Sequence, residues 1–214
     1  MGRSALYYPL VGLVIGVVLC LLPVIFTSAS PVLLAAVLVV LWATITGGLH
    51  LDGVADSADA WLGGLGDEEK TQRILKDPVV GAAGVIAIVA VMLLKFAVLV
   101  VVLEQAFWWV VLFAPVLGRA MVLLLFLTTP YVRRAGLGNA VTDFLPRHLA
   151  WLLALLGLGL GLFLSWPGVL AVILVFYLLR RLMVQRLRGC TGDTAGATIE
   201  LTELSWLVGV GLSL

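Results

Sequence analysis

Apolar residues fill this chain in long, nearly unbroken runs, and the polar residues gather in the stretches between them. An α-helix needs about 20 mostly apolar residues to cross the hydrocarbon core of a bilayer. Runs of that kind occupy residues 5–26, 32–49, 82–103, 107–128, 149–165 and 168–187, with a shorter one at 201–214. The last is short for a span and reads either as a span or as a re-entrant or interfacial segment. The expected fold is therefore all-α: a polytopic bundle of six to seven transmembrane helices, forming one membrane-embedded domain over residues 1–214. The first run, with Arg3 ahead of it and Thr27-Ser28-Ala29-Ser30 behind, has the outline of a secretory signal, but its length and the immediately following Pro31 argue against cleavage.

Composition narrows the setting to the lipid bilayer. The chain is 63% hydrophobic and 12% charged with a mean hydropathy of +1.19, which excludes a water-soluble globule. Thirteen Lys plus Arg stand against twelve Asp plus Glu, so no basic excess points to nucleic acid as a partner. Cys20 and Cys190 lack the paired spacing of a disulfide framework or thiolate metal site and read as small packing residues. Nothing in the pattern sets the oligomeric state.

Charge alternates sharply along the connections. Those at 27–31, 104–106 and 166–167 hold no Lys or Arg, whereas 50–81, 129–148 and 180–200 hold most of the basic residues. The positive-inside rule places these three, and the N-terminus, in the cytoplasm. Eleven of the twelve acidic residues fall on the same side, with Glu104 opposite. Polar chemistry is thus expected at the cytoplasmic face or just within it. Two basic residues, Lys95 and Arg119, interrupt apolar runs and are expected to face a cavity or a partner, because intramembrane charge is costly.

The segment Thr46-Gly47-Gly48-Leu49-His50-Leu51-Asp52-Gly53-Val54-Ala55-Asp56-Ser57-Ala58-Asp59 carries the densest chemistry. As a helix it sets Asp52, Asp56 and Asp59 within about 60° of one another on one face. Carboxylates crowded this way need a cation, and hard oxygens beside small residues suit Mg²⁺, which takes carboxylates together with substrate phosphates. His50 is a candidate base or substrate contact. Further along, Arg73, Lys76 and Asp77 lead into the glycines Gly81 and Gly84 at a helix start, a pattern suited to a phosphate clamp. A third cluster, from Arg188 through Thr191-Gly192-Asp193 to Gly196-Ala197 and Glu200, sets Asp193 and Glu200 on one helix face around a gap of small residues, with Glu203 offset. Gly136-Leu137-Gly138-Asn139 after Arg133 and Arg134 reads as a polar turn or as substrate contacts. Acidic clusters for a metal, basic residues for phosphates and burial in a membrane together suggest metal-assisted phosphoryl transfer.

These motifs, in this order, resemble the cobalamin synthase (adenosylcobinamide-GDP ribazoletransferase) family over nearly the whole chain. The likeness rests on Tyr8-Pro9-Leu10-Val11-Gly12, the Thr46–Asp56 motif, Lys76-Asp77 with Gly81 and Gly84, Gly118-Arg119, Gly136-Leu137-Gly138-Asn139, and Thr191-Gly192-Asp193 with Gly196-Ala197 and Glu200. Against the family pattern the chain is short before Tyr7 and after Trp61 and has Pro78-Val79-Val80 after Asp77. The resemblance implies that adenosylcobinamide-GDP is joined to α-ribazole or α-ribazole 5′-phosphate with release of GMP, in a bacterial inner membrane, with Mg²⁺ as cofactor. For that reaction Asp52, Asp56 and Asp59 are expected to hold Mg²⁺ on the pyrophosphate, with Asp193 or Glu200 as ligands completing a second metal position. Asp52, Asp56 or His50 would be catalytic, and Arg73, Lys76, Asp77, Lys95, Arg119, Asn139 and Thr191 would contact substrate. A membrane CDP-alcohol phosphotransferase would follow Asp52-Gly53 with Ala-Arg and further spaced aspartates, which are missing here, and no paired broken-helix halves support an ion-coupled transporter.

Overall fold

The computed structural model describes residues 2–133 and 137–214. After a 3₁₀ turn at Gly2–Tyr7 these form ten α-helices and no strand: α1 Tyr8–Ile25, α2 Pro31–Ile45, α3 Leu49–Gly64, α4 Glu68–Ile74, α5 Ala82–Glu104, α6 Trp108–Thr128, α7 Leu137–Asp143, α8 Arg147–Leu164, α9 Trp166–Leu187 and α10 Gly192–Gly211. A single isolated bridge, Tyr131 with Cys190, ties the α6–α7 connection to the start of α10. Arg134 and Gly136, read above as part of a polar turn, lie outside the described residues.

Among the described residues five segments are long and apolar enough to cross a membrane, Gly2–Ile25, Ala82–Glu104, Trp108–Thr128, Arg147–Leu164 and Trp166–Leu187, and the bent pair Pro31–Ile45 with Leu49–Gly64 makes six if it is one span. This is a multi-pass membrane protein. Burial sorts the five, since 78% of the apolar window of α6 is buried but only 22–28% of each of the others. So α6 runs through the middle and α1, α5, α8 and α9 turn Leu, Val and Ile outward, as in Val14, Ile86, Leu93 and Leu174. Apolar exposure on this scale is the surface a bilayer covers.

The second apolar run is not one straight helix. It breaks after Ile45, and α3 leaves the direction of α2 by 86°. Gly47 and Gly48 make the break with φ of 62° and 69°, a left-handed conformation that costs glycine nothing and other residues energy. α2 is the apolar limb of the pair, and α3 swings the Asp52–Asp59 stripe across one end of the bundle.

Residues 201–211 belong to the 20-residue helix α10, which is not among the five apolar candidates. Its middle and distal parts are almost wholly buried between α3, α5, α6 and α9, with Glu200, Thr202, Glu203 and Trp206 all inside. The Trp206 indole donates to the Val110 carbonyl at 3.1 Å and meets Phe113 edge-on at 5.2 Å between centroids. A helix this polar stays out of the hydropathy pattern because protein, not lipid, surrounds it.

Several basic residues counted as topological also finish helices. Arg147 and Arg180 donate to the Leu127 and Thr128 carbonyls at 2.9 and 2.7 Å. Those carbonyls end α6 and have no partner within their helix, so guanidinium donors satisfy them and complement the negative end of the helix dipole. Cys20 and Cys190 remain thiols, their sulfurs near the carbonyls of Trp108 and Thr129. Both act as packing residues.

Candidate active site

The site is assembled where α3 crosses the start of α10. Gly53 makes the crossing possible, because a Cβ there would collide with the Asp193 carbonyl and approach the Ala197 amide at 3.0 Å. The contact brings the α3 carboxylates to the first turn of α10. Asp52, Asp59 and Asp193 lie near enough for their charges to act on the Asp56 carboxylate, and the Arg133 guanidinium opposes them.

Asp193 is held on two sides. Arg133 pairs with it at 2.9 Å, and the Thr191 hydroxyl donates to it at 3.4 Å. Burial pushes its carboxyl above the usual range, Arg133 and Thr191 pull it back, and the Asp52 charge pushes it up again. Thr191 also caps α10, accepting from the Thr194 amide at 3.3 Å while the Thr194 hydroxyl accepts from the Thr191 amide at 2.8 Å. The same Arg133 Nη2 donates in addition to the Leu75 carbonyl at 2.9 Å, which holds that end of the guanidinium between the end of α4 and the start of α10.

Two cavities meet at this junction. One, about 720 Å³, is walled by Asp56, Gln72, Lys76, Asp77, Arg133 and Thr191 with Leu75, Pro78 and Val132. The other, about 680 Å³, has His50, Asp52, Arg119, Arg133 and Asp193 at its polar end and continues between apolar and aromatic side chains of α1, α6 and the α2–α3 break. Arg133 lines both. His50 Nδ1 is buried without a hydrogen-bond partner among the described residues, and Arg119, Glu200 and Lys95 are near enough for their charges to reach the ring.

Residues 1–211 match the family described as cobalamin-5-phosphate synthase. The chain belongs to that family. It is 52% identical over 217 residues to the adenosylcobinamide-GDP ribazoletransferase of Pseudomonas entomophila, an alignment covering 99% of this chain and 88% of that protein. Against the enzyme of the same name from Pseudomonas putida strain F1 it is 51% identical over 213 residues, covering 100% and 89%. The Acinetobacter baumannii strain ACICU protein, also so named, is 48% identical over 205 residues, covering 94% and 83%. No solved structure matches the chain.

The residues expected to serve the family's reaction divide into two groups. Asp52, Asp56, His50, Lys76, Asp77, Arg119, Thr191 and Asp193 line the two cavities. Arg73 is exposed on α4 and Asn139 lies on α7, and neither lines a cavity wall. Asp77 accepts from the Val79 amide at 3.0 Å, shaping its own turn. Asp59 spends both oxygens on the start of α5, accepting from the Gly81 and Gly84 amides at 2.7 and 2.9 Å. That use is as a helix anchor between α3 and α5.

Lys95 and Glu200 take each other as partners, at 2.5 Å and 2–3% exposed. Glu203 accepts from Lys95 at 3.3 Å and from Arg119, and the Lys95 ammonium also sits 4.2 Å over the Trp42 ring. Two cations and two anions thus close a neutral quartet inside the bundle. Glu200 is expected from sequence among the metal ligands and Lys95 among the substrate contacts. The structure instead engages both within this quartet, while Arg119 alone also reaches a cavity wall.

Arg133 and Glu203 were not singled out by the residue pattern. Arg133 sits in a basic pair that serves topology equally well, and Glu203 is out of register with the Asp193–Glu200 face. Their signal is three-dimensional. As for Mg²⁺, the described residues contain no group of three or more His, Cys, Asp or Glu that closes a metal cage. Mg²⁺ does not require one, because it keeps waters and is bound through one or two carboxylates plus substrate phosphates. Asp52 and Asp56, hard oxygen donors on cavity walls with little opposing charge, fit that habit.

Proposed function

We propose that the family's reaction takes place at the α3–α10 junction, with Asp52 and Asp56 as the metal-binding pair and Arg133 and Lys76 on the phosphates. As a member of its family the chain is a transferase of cobalamin synthesis, joining adenosylcobinamide-GDP to α-ribazole. The acceptor's 3′-hydroxyl oxygen attacks the phosphorus on the cobinamide side of the pyrophosphate. The bridging P–O bond breaks, GMP leaves with that oxygen, and a phosphodiester to the ribose remains.

Catalysis of such a displacement is mostly positioning and charge compensation. Mg²⁺ bound by Asp52 and Asp56 would supply Lewis-acid polarisation of the phosphoryl oxygens and relieve the carboxylate repulsion. Arg133, held by Asp193 and the Leu75 carbonyl, presents a preorganised guanidinium where negative charge grows. Lys76 adds a second positive charge from the polar cavity. His50 lines the cavity that holds Asp52 and takes the proton of the attacking hydroxyl.

The reading rests most on one observation: the family motifs of α3 and α10, about 140 residues apart in sequence, meet around two adjoining cavities. The polar end faces the cytoplasm of a bacterial inner membrane by the positive-inside rule, because Lys70, Arg73, Lys76, Arg133, Arg147, Arg186 and Arg188 all lie at that end. Detergent-solubilised protein given adenosylcobinamide-GDP and α-ribazole, or its 5′-phosphate, is expected to release GMP in step with corrinoid product, and EDTA to stop it. No release with either acceptor from folded protein would overturn the reading.

A further inference from the structure

The two cavities differ in chemistry as well as position, and the difference assigns their occupants. The first has no aromatic side chain on its wall: Asp56, Gln72, Lys76, Asp77, Arg133 and Thr191 supply donors and acceptors with two charges of each sign. The second is amphipathic. Its polar residues are His50, Asp52, Arg119, Arg133 and Asp193, again two charges of each sign, while Tyr8, Phe126 and Tyr131 give it an aromatic wall, the last two edge-on at 6.4 Å. Ile45, on its wall, is 39% exposed.

From this contrast, and resting on the function proposed above, we infer that the polar cavity binds the departing guanosine nucleotide and the aromatic cavity binds the bicyclic base and ribose of the acceptor, with Arg133 on the shared wall at the reacting phosphate. Aromatic side chains hold a flat apolar base by offset or edge contacts, whereas the edge of guanine and its phosphate ask for hydrogen-bonding groups such as Gln72, Lys76 and Thr191. Each volume lies within the range of pockets that enclose one compact ligand. Neither is sized for the corrin macrocycle with its side chains, which stays outside the two cavities.

The geometry suits displacement at phosphorus. The attacking hydroxyl enters from the His50 and Asp52 side and the leaving GMP departs to the Lys76 side, so nucleophile and leaving group approach Arg133 from different cavities. Arg133 therefore acts as a catalytic residue on the transferred phosphate.

The assignment is tested by splitting the two Michaelis constants. Ile45→Trp narrows the aromatic cavity from an already exposed position, and the KM for α-ribazole is expected to rise about tenfold with that for adenosylcobinamide-GDP changed less than about threefold. Lys76→Glu is expected to do the reverse, and to weaken GMP product inhibition about tenfold while Ile45→Trp leaves that inhibition in place. Exchange of the two patterns, or an equal rise of both constants in each variant, would overturn the assignment. A lipid tail in the aromatic cavity would instead leave both constants of Ile45→Trp unchanged, which overturns it as well. Absence of GMP release by the unaltered protein would count against the proposed function rather than against this division of the site.

Discussion

Two clusters of charge lie along α10 within a few turns of each other, and they differ in one respect that decides what each can do. In the inner cluster Lys95, Arg119, Glu200 and Glu203 are buried and electrically complete. In the outer cluster Asp52, Asp56 and Asp193 face cavities with Arg133 as the nearby cation, and negative charge is left over. The quartet balances its own charge and serves the fold, with Arg119 also on a cavity wall. An incomplete one attracts a cation and, through it, phosphate. The lesson is that residue type and depth in the membrane do not identify a site; uncompensated charge beside open space does.

Breaking the outer cluster should have the largest effect. Asp52→Asn and Asp56→Asn are each expected to lower GMP release by about a thousandfold or more, with the folded fraction in detergent unchanged. Substituting within the inner cluster should act on folding instead. Glu203→Gln leaves Arg119 and Lys95 short of a counter-charge and should cost about 3–5 kcal/mol, read as a lowered midpoint in denaturant titration of the detergent-solubilised protein. Replacing Lys95 and Glu200 together by Met removes one charge of each sign, and the double variant should be more stable than either single one.

Arg133→Lys sharpens the comparison at the boundary between the clusters. A lysine keeps the charge but loses the planar guanidinium, whose Nη2 holds Asp193 and the Leu75 carbonyl while its other nitrogens can donate to phosphate, so kcat is expected to fall about 10²-fold, as measured by initial rates at saturating substrate. The smallest effect should come from Asp59→Asn. Asp59 accepts two amides at the start of α5, and the change should cost about 1 kcal/mol in thermal stability and leave the Mg²⁺ dependence of the reaction unaltered.

Much of this was readable in the sequence, for definite reasons. The spans were visible because lipid demands long apolar runs, and the α3 stripe because a helical period aligns Asp52, Asp56 and Asp59. The break before α3 was hidden, since Thr46-Gly47-Gly48-Leu49 continues an apolar run and only the left-handed glycines show that the chain turns. The depth of α10 was hidden for the opposite reason. Its Glu and Thr residues look unfit for the interior until Lys95 and Arg119 arrive from α5 and α6 to neutralise them. Asp59 shares the face of Asp52 yet goes to other partners, a choice fixed by Gly81 and Gly84 more than twenty residues away.

The most direct test of the division between the two clusters is the Mg²⁺ concentration that half-saturates GMP release, measured for the unaltered protein, Asp56→Glu and Glu200→Gln. The account predicts a shift of about tenfold or more for Asp56→Glu and none for Glu200→Gln, whose loss is confined to stability. A shifted Mg²⁺ dependence in Glu200→Gln, with Asp56→Glu unchanged, would contradict it.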